Sequence, residues 1–362
     1  MPSRFAAWIR YGNPLTDDQV DFAIEHYRVA ILQPWETGAL KRLKVARPDM
    51  TVLVYKCLSS TRSYETGPVL SSGVGYEEAE EGGEHWFAHR ADGSRIEWDT
   101  YPGHWQMAVW EAEYQERWRD QVVDELKDSL GDGVMADNDV YDDYYGLRPP
   151  IEGGRTMVDI RQALDEFVPS VGAALNDLNK ILIPNIAESR RDPGRWERHA
   201  AYGGGFEEAW LAWGPDNYLD PVTSALQAGE VEGPGLTVMR TASDGTNQHR
   251  NFTYGLATFW VFGGGRGGAF TATAHDAYSV TPFIEQLNWN LGEPLDQAHQ
   301  RGNGWSREFS NGWAAVNFND RPRRKVTYRV PNGLQTVDGQ AAPDRVTLAP
   351  HEGVLYVRDP VD

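Results

Sequence analysis

Short apolar runs and helix-length periodic segments alternate along the first three-quarters of the chain, and this alternation constrains the fold more than any other feature. FAAWIRYG (5–12) reads as a strand, and a helix follows from Asp17, where Thr16 and Gln19 form a capping box. YRVAILQ (27–33) is a strand-length run, TGALKRLKVA (37–46) is helical, and the β-branched MTVLVYKC (50–57) is a third strand. Tyr114, Trp118, Val122, Leu126 and Leu130 recur every four positions, as an amphipathic helix requires, and that helix ends at Gly131. Gly133-Val134-Met135-Ala136 then forms a fourth strand. A helix follows over Met157, Ile160, Leu164, Phe167, Val171, Leu175 and Leu178, with a bend expected at Pro169. ILIPNIAES (181–189), AYGGGFEEAW (201–210), GLTVMRTAS (235–243) and AFTATA (269–274) supply strands five to eight. Between them lie a helix opened by Asp220-Pro221 and an aromatic helix from Phe252 to Phe262.

Eight strand–helix units over about 275 residues are what a (β/α)8 TIM barrel requires, with a doubly wound sheet as the alternative. The register changes near residue 285. WAAVNF (313–318), KVTYRV (325–330), RVTL (345–348) and GVLYV (353–357) alternate like strands and are separated by turn pairs such as Asn332-Gly333. The expected organisation is an α/β barrel over 1–285 and an antiparallel β-sandwich over 286–362.

One segment interrupts the alternation. Residues 58–110, rich in Gly, Ser and Glu, form a long insertion, and long insertions in compact domains are functional or disordered. Its aromatics, among them Tyr64, Trp86, Trp98, Tyr101, Trp105 and Trp110, argue for order.

Charge and composition exclude several classes. The net charge of −19 opposes nucleic-acid binding, which needs a basic footprint, and disfavours polyanionic glycans. No apolar run approaches the ~18 residues of a membrane span. The one cysteine, Cys57, forms no internal disulfide and sits in an apolar strand far in sequence from an activating histidine. The opening MPSRFAAWIRYG has no signal-peptide pattern, so the protein is expected to be cytoplasmic, or exported with a signal outside this chain. The 14 Trp and 16 Tyr often stand beside Gly, Pro, Asp or Glu, as in binding loops.

The stretch DGVMADNDVYDDYYG (132–146) carries the chemistry. It begins as a core strand and crowds Asp137 and Asp139 at its end, which is costly without a reason. A calcium loop is one reason, but position six is Asp142 where Gly is needed, and position twelve is Arg148 where Glu belongs. The glycines Gly263, Gly265 and Gly268 match a dinucleotide spacing, yet a helix precedes them and a strand follows, the reverse of that fingerprint. No phosphate loop, zinc motif or nucleophile elbow is present.

In a barrel, residues at the carboxyl ends of strands face the catalytic mouth. Asp137 would end strand four and Glu188 strand five, while Glu207 and Glu208 lie in strand six, after Gly203-Gly204-Gly205, which would let a ligand approach the backbone. Paired carboxylates on one rim are what glycosidic hydrolysis needs: one acid protonates the leaving oxygen, and the other carboxylate attacks the anomeric carbon or activates water. The competing readings are strand-end carboxylates that cap helices or pair with arginine, a catalytically inactive carbohydrate-binding barrel, and a calcium-stabilised structural protein.

The motifs GVMADND, WIRYG, VLVYK, WQMAVWEAEYQERW and NGWAAVNFND…VDG…VTLAPHEGVLYV resemble hypothetical glycosyl hydrolase-like family 15, related to the α-galactosidase-type barrels. The resemblance spans most of the chain and implies a TIM barrel with a C-terminal β-sandwich. It also implies a nucleophile at the end of strand four, matching Asp137, and an acid/base near the end of strand six, matching Glu207 or Glu208. Adjacent residues point to opposite sides of a strand, so one of the two serves. The expected activity is hydrolysis of an O-glycosidic bond in a neutral oligo- or polysaccharide, without a cofactor or metal. Asp137 is the expected nucleophile or base, and Glu207 the general acid with Glu208 in reserve. Asp139 and Glu188 tune the local charge, and Trp35, Tyr55, Trp105 and Tyr141 contact sugar.

Overall fold

The structure, a computed structural model, describes residues 3–12, 14–275 and 278–360; Met1 and Pro2 of the opening motif lie outside the described residues. The fold is a (β/α)8 barrel followed by antiparallel sheets. The barrel strands are β1 (Ala7–Arg10), β2 (Val29–Leu32), β3 (Thr51–Cys57), β4 (Gly133–Asp139), β5 (Ile181–Ile186), β6 (Gly204–Glu207), β7 (Leu236–Ala242) and β8 (Gly268–Thr273). They stand side by side in chain order in one eight-stranded sheet, and a parallel bridge between Ala6 and Phe270 sets the first strand beside the last. The intervening helices are α1 (Asp17–His26), α2 (Thr37–Ala46), α3 (Ala112–Lys127), α4 (Met157–Asp177), α5 (Arg195–His199), α6 (Pro221–Ala228) and α7 (Arg250–Gly263). The capping box at Thr16 and Gln19 forms, and Asp220 caps α6 ahead of Pro221. Among the described residues no helix is long and apolar enough to cross a membrane.

Packing divides the chain into two compact units, Ile31–Phe206, and Met1–Ala30 together with Glu207–Asp362. In the first unit, β3, β4 and β5 pair in parallel, with Tyr55 opposite Met135 and Cys57 opposite Asp137. Gly133 is required at the start of β4, because a Cβ there would lie 1.9 Å from the carbonyl oxygen of Ile181. On α3, Tyr114, Trp118, Val122 and Leu126 are buried as the spacing predicts; Leu130 lies beyond the helix end and is exposed. The helix α4 continues through Pro169 without interruption.

The insertion after β3 is folded. Ser60–Arg62 pairs antiparallel with His104–Gln106, and a short helix spans Tyr76–Gly82. The insertion is tied to the loop after β4: Trp98 stacks on Tyr145 with ring centroids 3.8 Å apart, and Arg90 donates to the carbonyls of Gly146 and Leu147.

In the second unit, β7 and β8 pair in register from Thr237–Gly268 to Ala242–Thr273. The C-terminal strands are β9 (His299–Arg301), β10 (Gly304–Phe309), β11 (Gly312–Asn317), β12 (Val326–Arg329), β13 (Arg345–Leu348) and β14 (Glu352–Val357). They form a four-stranded antiparallel sheet, β9-β10-β11-β14, and a two-stranded one, β12-β13. Trp313, Tyr356, Tyr328, Val326 and Leu348 bring the two sheets into one core. Helix α7 is buried on two sides. Gly255 lies against Thr241 and Phe270 of the barrel strands, and Gly353 of β14 lies against Ala257 and the backbone of Thr253 and Tyr254.

Candidate active site

The end of β4 is irregular, and the irregularity sorts its charges. Asn138 has a left-handed backbone, with φ of 68°, and the β4–β5 register shifts between Ala136 and Asp139. In a regular strand, residues two apart share a face. With the bulge inserted, Asp137 and Asp139 reach different surroundings. The carboxamide of Asn138 holds the turn, donating to the Cys57 sulfur at 3.2 Å and accepting from the Tyr145 hydroxyl.

Asp137 is half-buried, and its carboxylate is met by uncharged donors. The Tyr55 hydroxyl donates to Oδ2 at 2.8 Å, and the Asn185 amide and the Asn138 N–H each donate to Oδ1 at 2.9 Å. Three donors to an ionised carboxylate favour its charged form. Tyr55 itself is buried, and burial followed by the Asp137 charge pushes its phenol well above 10, so it stays a proton donor. The Cys57 thiol is pushed up by burial and by Asp137, which fits a core thiol rather than a nucleophile.

Asp139 is fully enclosed by cations. It pairs with Arg195 and, at 2.5 Å, with His199 Nδ1, and Asp165 accepts from His199 Nε2 at 2.6 Å. Burial opposes its ionisation, but Arg195 and His199 outweigh that and hold the carboxyl below the usual range. Burial likewise lowers His199, and the Asp139 charge and hydrogen bond reverse the shift and raise it.

The remaining expected residues of this unit fall as follows. Glu188 lies two residues past the end of β5 rather than ending it, with a left-handed backbone, and its carboxylate is held by Tyr144, Arg190 and Arg191. Tyr141 has the guanidiniums of Arg161 and Arg191 at 4.4 and 4.3 Å from its ring centre. Trp105 packs in the small hairpin against Tyr76. Trp35 stands exposed after β2, and Tyr64, in the insertion, is more exposed still.

Glu207 and Glu208 belong to the other unit, and only Glu207 lies within β6, as its last residue. Two of the preceding glycines serve packing: a Cβ on Gly203 would lie 2.4 Å from Ile181, and one on Gly205 2.9 Å from Trp196 of α5. At these two positions the close approach of neighbouring elements accounts for the missing side chain. It also fixes the sides of β6. Gly205 faces the helix layer, whereas Phe206 stands opposite Asn185, whose side chain reaches Asp137. Glu208 lies past the end of the strand, in a turn. Glu207 is buried, and its Oε1 accepts from the Ala209 N–H at 3.1 Å. The half-buried Glu208 accepts from the Tyr278 hydroxyl and has His275 Nδ1 3.9 Å away. Arg240 donates to the Glu208 carbonyl at 2.9 Å.

Sequence reading missed Asn185, Arg62, Tyr145, Arg240 and Tyr278. A signal existed for Asn185, a polar residue inside the apolar run ILIPNI. Among the described residues, no group of three or more His, Cys, Asp or Glu is placed to hold a metal ion.

A (β/α)8 barrel with a donor-held carboxylate at the carboxyl end of β4 is a frame suited to glycoside hydrolysis. The profile of hypothetical glycosyl hydrolase family 15 matches residues 44–313, and the chain belongs to that family. It is a glycoside hydrolase. A search of curated protein sequences finds no match. Among solved structures, the noncanonic maltogenic alpha-amylase AmyB from Thermotoga neapolitana aligns with a TM-score of 0.54 at 10% identity, covering 98% of this chain and 97% of that one. The alpha-amylase from Geobacillus thermoleovorans, solved with acarbose, aligns with a TM-score of 0.52 at 11% identity over 97% of both chains. At these identities the likeness is one of fold.

Proposed function

We propose that the enzyme cleaves an O-glycosidic bond in a neutral oligo- or polysaccharide with Asp137 as nucleophile and Glu208 as general acid/base. The carrying observation is the contrast within β4. Asp139 is neutralised by Arg195 and His199, whereas Asp137 accepts hydrogen bonds from a phenol, an amide and a backbone N–H, donors that favour the charged form of a carboxylate. Of the two adjacent glutamates, partial exposure favours Glu208.

In the first step an Asp137 oxygen bonds to the anomeric carbon, the glycosidic C–O bond breaks, and Glu208 gives its proton to the leaving oxygen. In the second, the Glu208 carboxylate takes a proton from water, the water oxygen bonds to the anomeric carbon, and Asp137 leaves as a carboxylate. The net charge of −19 supports a neutral substrate over an anionic one, and the exposed rings of Trp35 and Tyr64 offer faces for sugar CH groups. The test is a panel of neutral glycans read by reducing-end release, run on the wild type, D137N, E208Q and E207Q. Loss in D137N and E208Q with activity kept in E207Q supports the assignment. Activity kept in D137N overturns it.

A further inference from the structure

The insertion after β3 delivers one guanidinium to the shell around Asp137. Arg62, largely buried, donates from Nη2 to the Tyr55 oxygen at 3.1 Å, and the same hydroxyl donates to Asp137 Oδ2 at 2.8 Å. Arg62 is itself anchored. Its Nη1 meets Glu65 Oε1 at 2.9 Å, and Glu65 accepts from the hydroxyl of Ser71 at 2.6 Å and from its N–H at 2.9 Å. The line Ser71–Glu65–Arg62–Tyr55–Asp137 thus runs from the insertion to the end of β4.

We propose that Arg62 is a positioning residue, which through Tyr55 keeps Asp137 ionised and oriented for reaction. The inference rests on the assignment of Asp137 as the reacting carboxylate. A phenol has one proton and two lone pairs. With Arg62 donating into a lone pair, the Tyr55 proton is directed to the other neighbour, Asp137. A cation in direct contact would neutralise a nucleophile, as Arg195 does for Asp139. Placed one hydroxyl away, it polarises the O–H bond and strengthens the donated hydrogen bond while leaving the carboxylate its charge. Among the described residues of this unit, Tyr55 and Cys57 are titratable groups that face Asp137, both kept protonated by burial and by Asp137, with Arg62 and its partner Glu65 behind them.

The test needs no substrate. Protein carrying 13C at the aspartate side-chain carboxyl is titrated by NMR, with D137N identifying the Asp137 resonance. R62M is expected to raise the Asp137 midpoint by about one unit, and Y55F to raise it similarly. Added to Y55F, R62M should contribute less than half of its effect alone, and R62K should restore most of the shift. A residue that only braced the hairpin would lower the melting temperature without moving this midpoint. A midpoint in folded R62M within about 0.3 unit of wild type overturns the proposal. If R62M does not fold, Y55F and R62K decide: an unshifted Y55F overturns it, and a raised Y55F with R62K between it and wild type supports it. Glycan hydrolysis that survives D137N would remove Asp137 from the reaction while leaving this titration valid, so the two failures are distinguishable.

Discussion

Asp137 and Asp139 stand two residues apart in one strand, yet one is held by uncharged donors and the other by an arginine and a histidine. The left-handed Asn138 between them makes the difference. Crowded carboxylates at a strand end are thereby made compatible with a buried environment. Asn tolerates this backbone better than most residues, and Gly tolerates it best. N138A is therefore expected to be about 1–2 kcal/mol less stable than N138G in urea denaturation. Both should lose the Tyr145 and Cys57 contacts, so their difference isolates the backbone.

The Asp139 cluster sets a pH window for stability. The folded carboxyl of Asp139 is depressed, so its contribution is present above its unfolded value near pH ~4 and is lost as pH falls through the lower folded value. The folded pKa of His199 is raised, so its contribution is complete below about pH 6.5 and is lost as pH rises through the folded value. Both contributions are complete between about pH 4 and 6.5. Denaturation at pH 5.5 and pH 9 should show the wild type losing stability on going alkaline and H199Q losing less. D139N, which leaves Arg195 without its buried partner charge, is expected to cost about 3–5 kcal/mol.

The proposed hydrolysis through Asp137 and Glu208 would have a stereochemical signature. With Asp137 as nucleophile the first-formed product keeps the anomeric configuration, which NMR of the reaction mixture reads directly. Inversion would make Asp137 a base acting on water. D137N should lose ~10³-fold or more in kcat/KM with an unchanged circular-dichroism spectrum.

Chelation is expected to leave the melting temperature unchanged, because among the described residues no group of three or more His, Cys, Asp or Glu is placed to hold a metal ion. A lower melting temperature in EDTA would reinstate the calcium-stabilised reading.

Much of the fold is legible in the chain because buried parallel strands are written as continuous apolar runs. MTVLVYKC and GLTVMRTAS each contain a barrel strand. Boundaries were harder: Glu188 reads as the end of ILIPNIAES, but the strand stops at Ile186 and a turn follows. The site was legible only in part. Asp137 stands out as an acid closing an apolar strand. Arg62 does not, because the insertion has no periodicity and its link to Tyr55 depends on a hairpin closed with His104, forty-odd positions further along. The bulge at Asn138 leaves no mark in D-N-D beyond a residue type tolerant of left-handed backbone.

The bareness of Gly353 has a practical consequence. The last β-strand presses its main chain directly onto α7, whose opposite flank already lies against β7 and β8. A fragment ending near residue 285 would therefore expose to water the flank of this rod that the last strand covers. Anyone trimming the gene to its barrel should plan for aggregation, and should resurface Tyr254, Ala257 and Phe262 before concluding that the barrel is unable to fold alone.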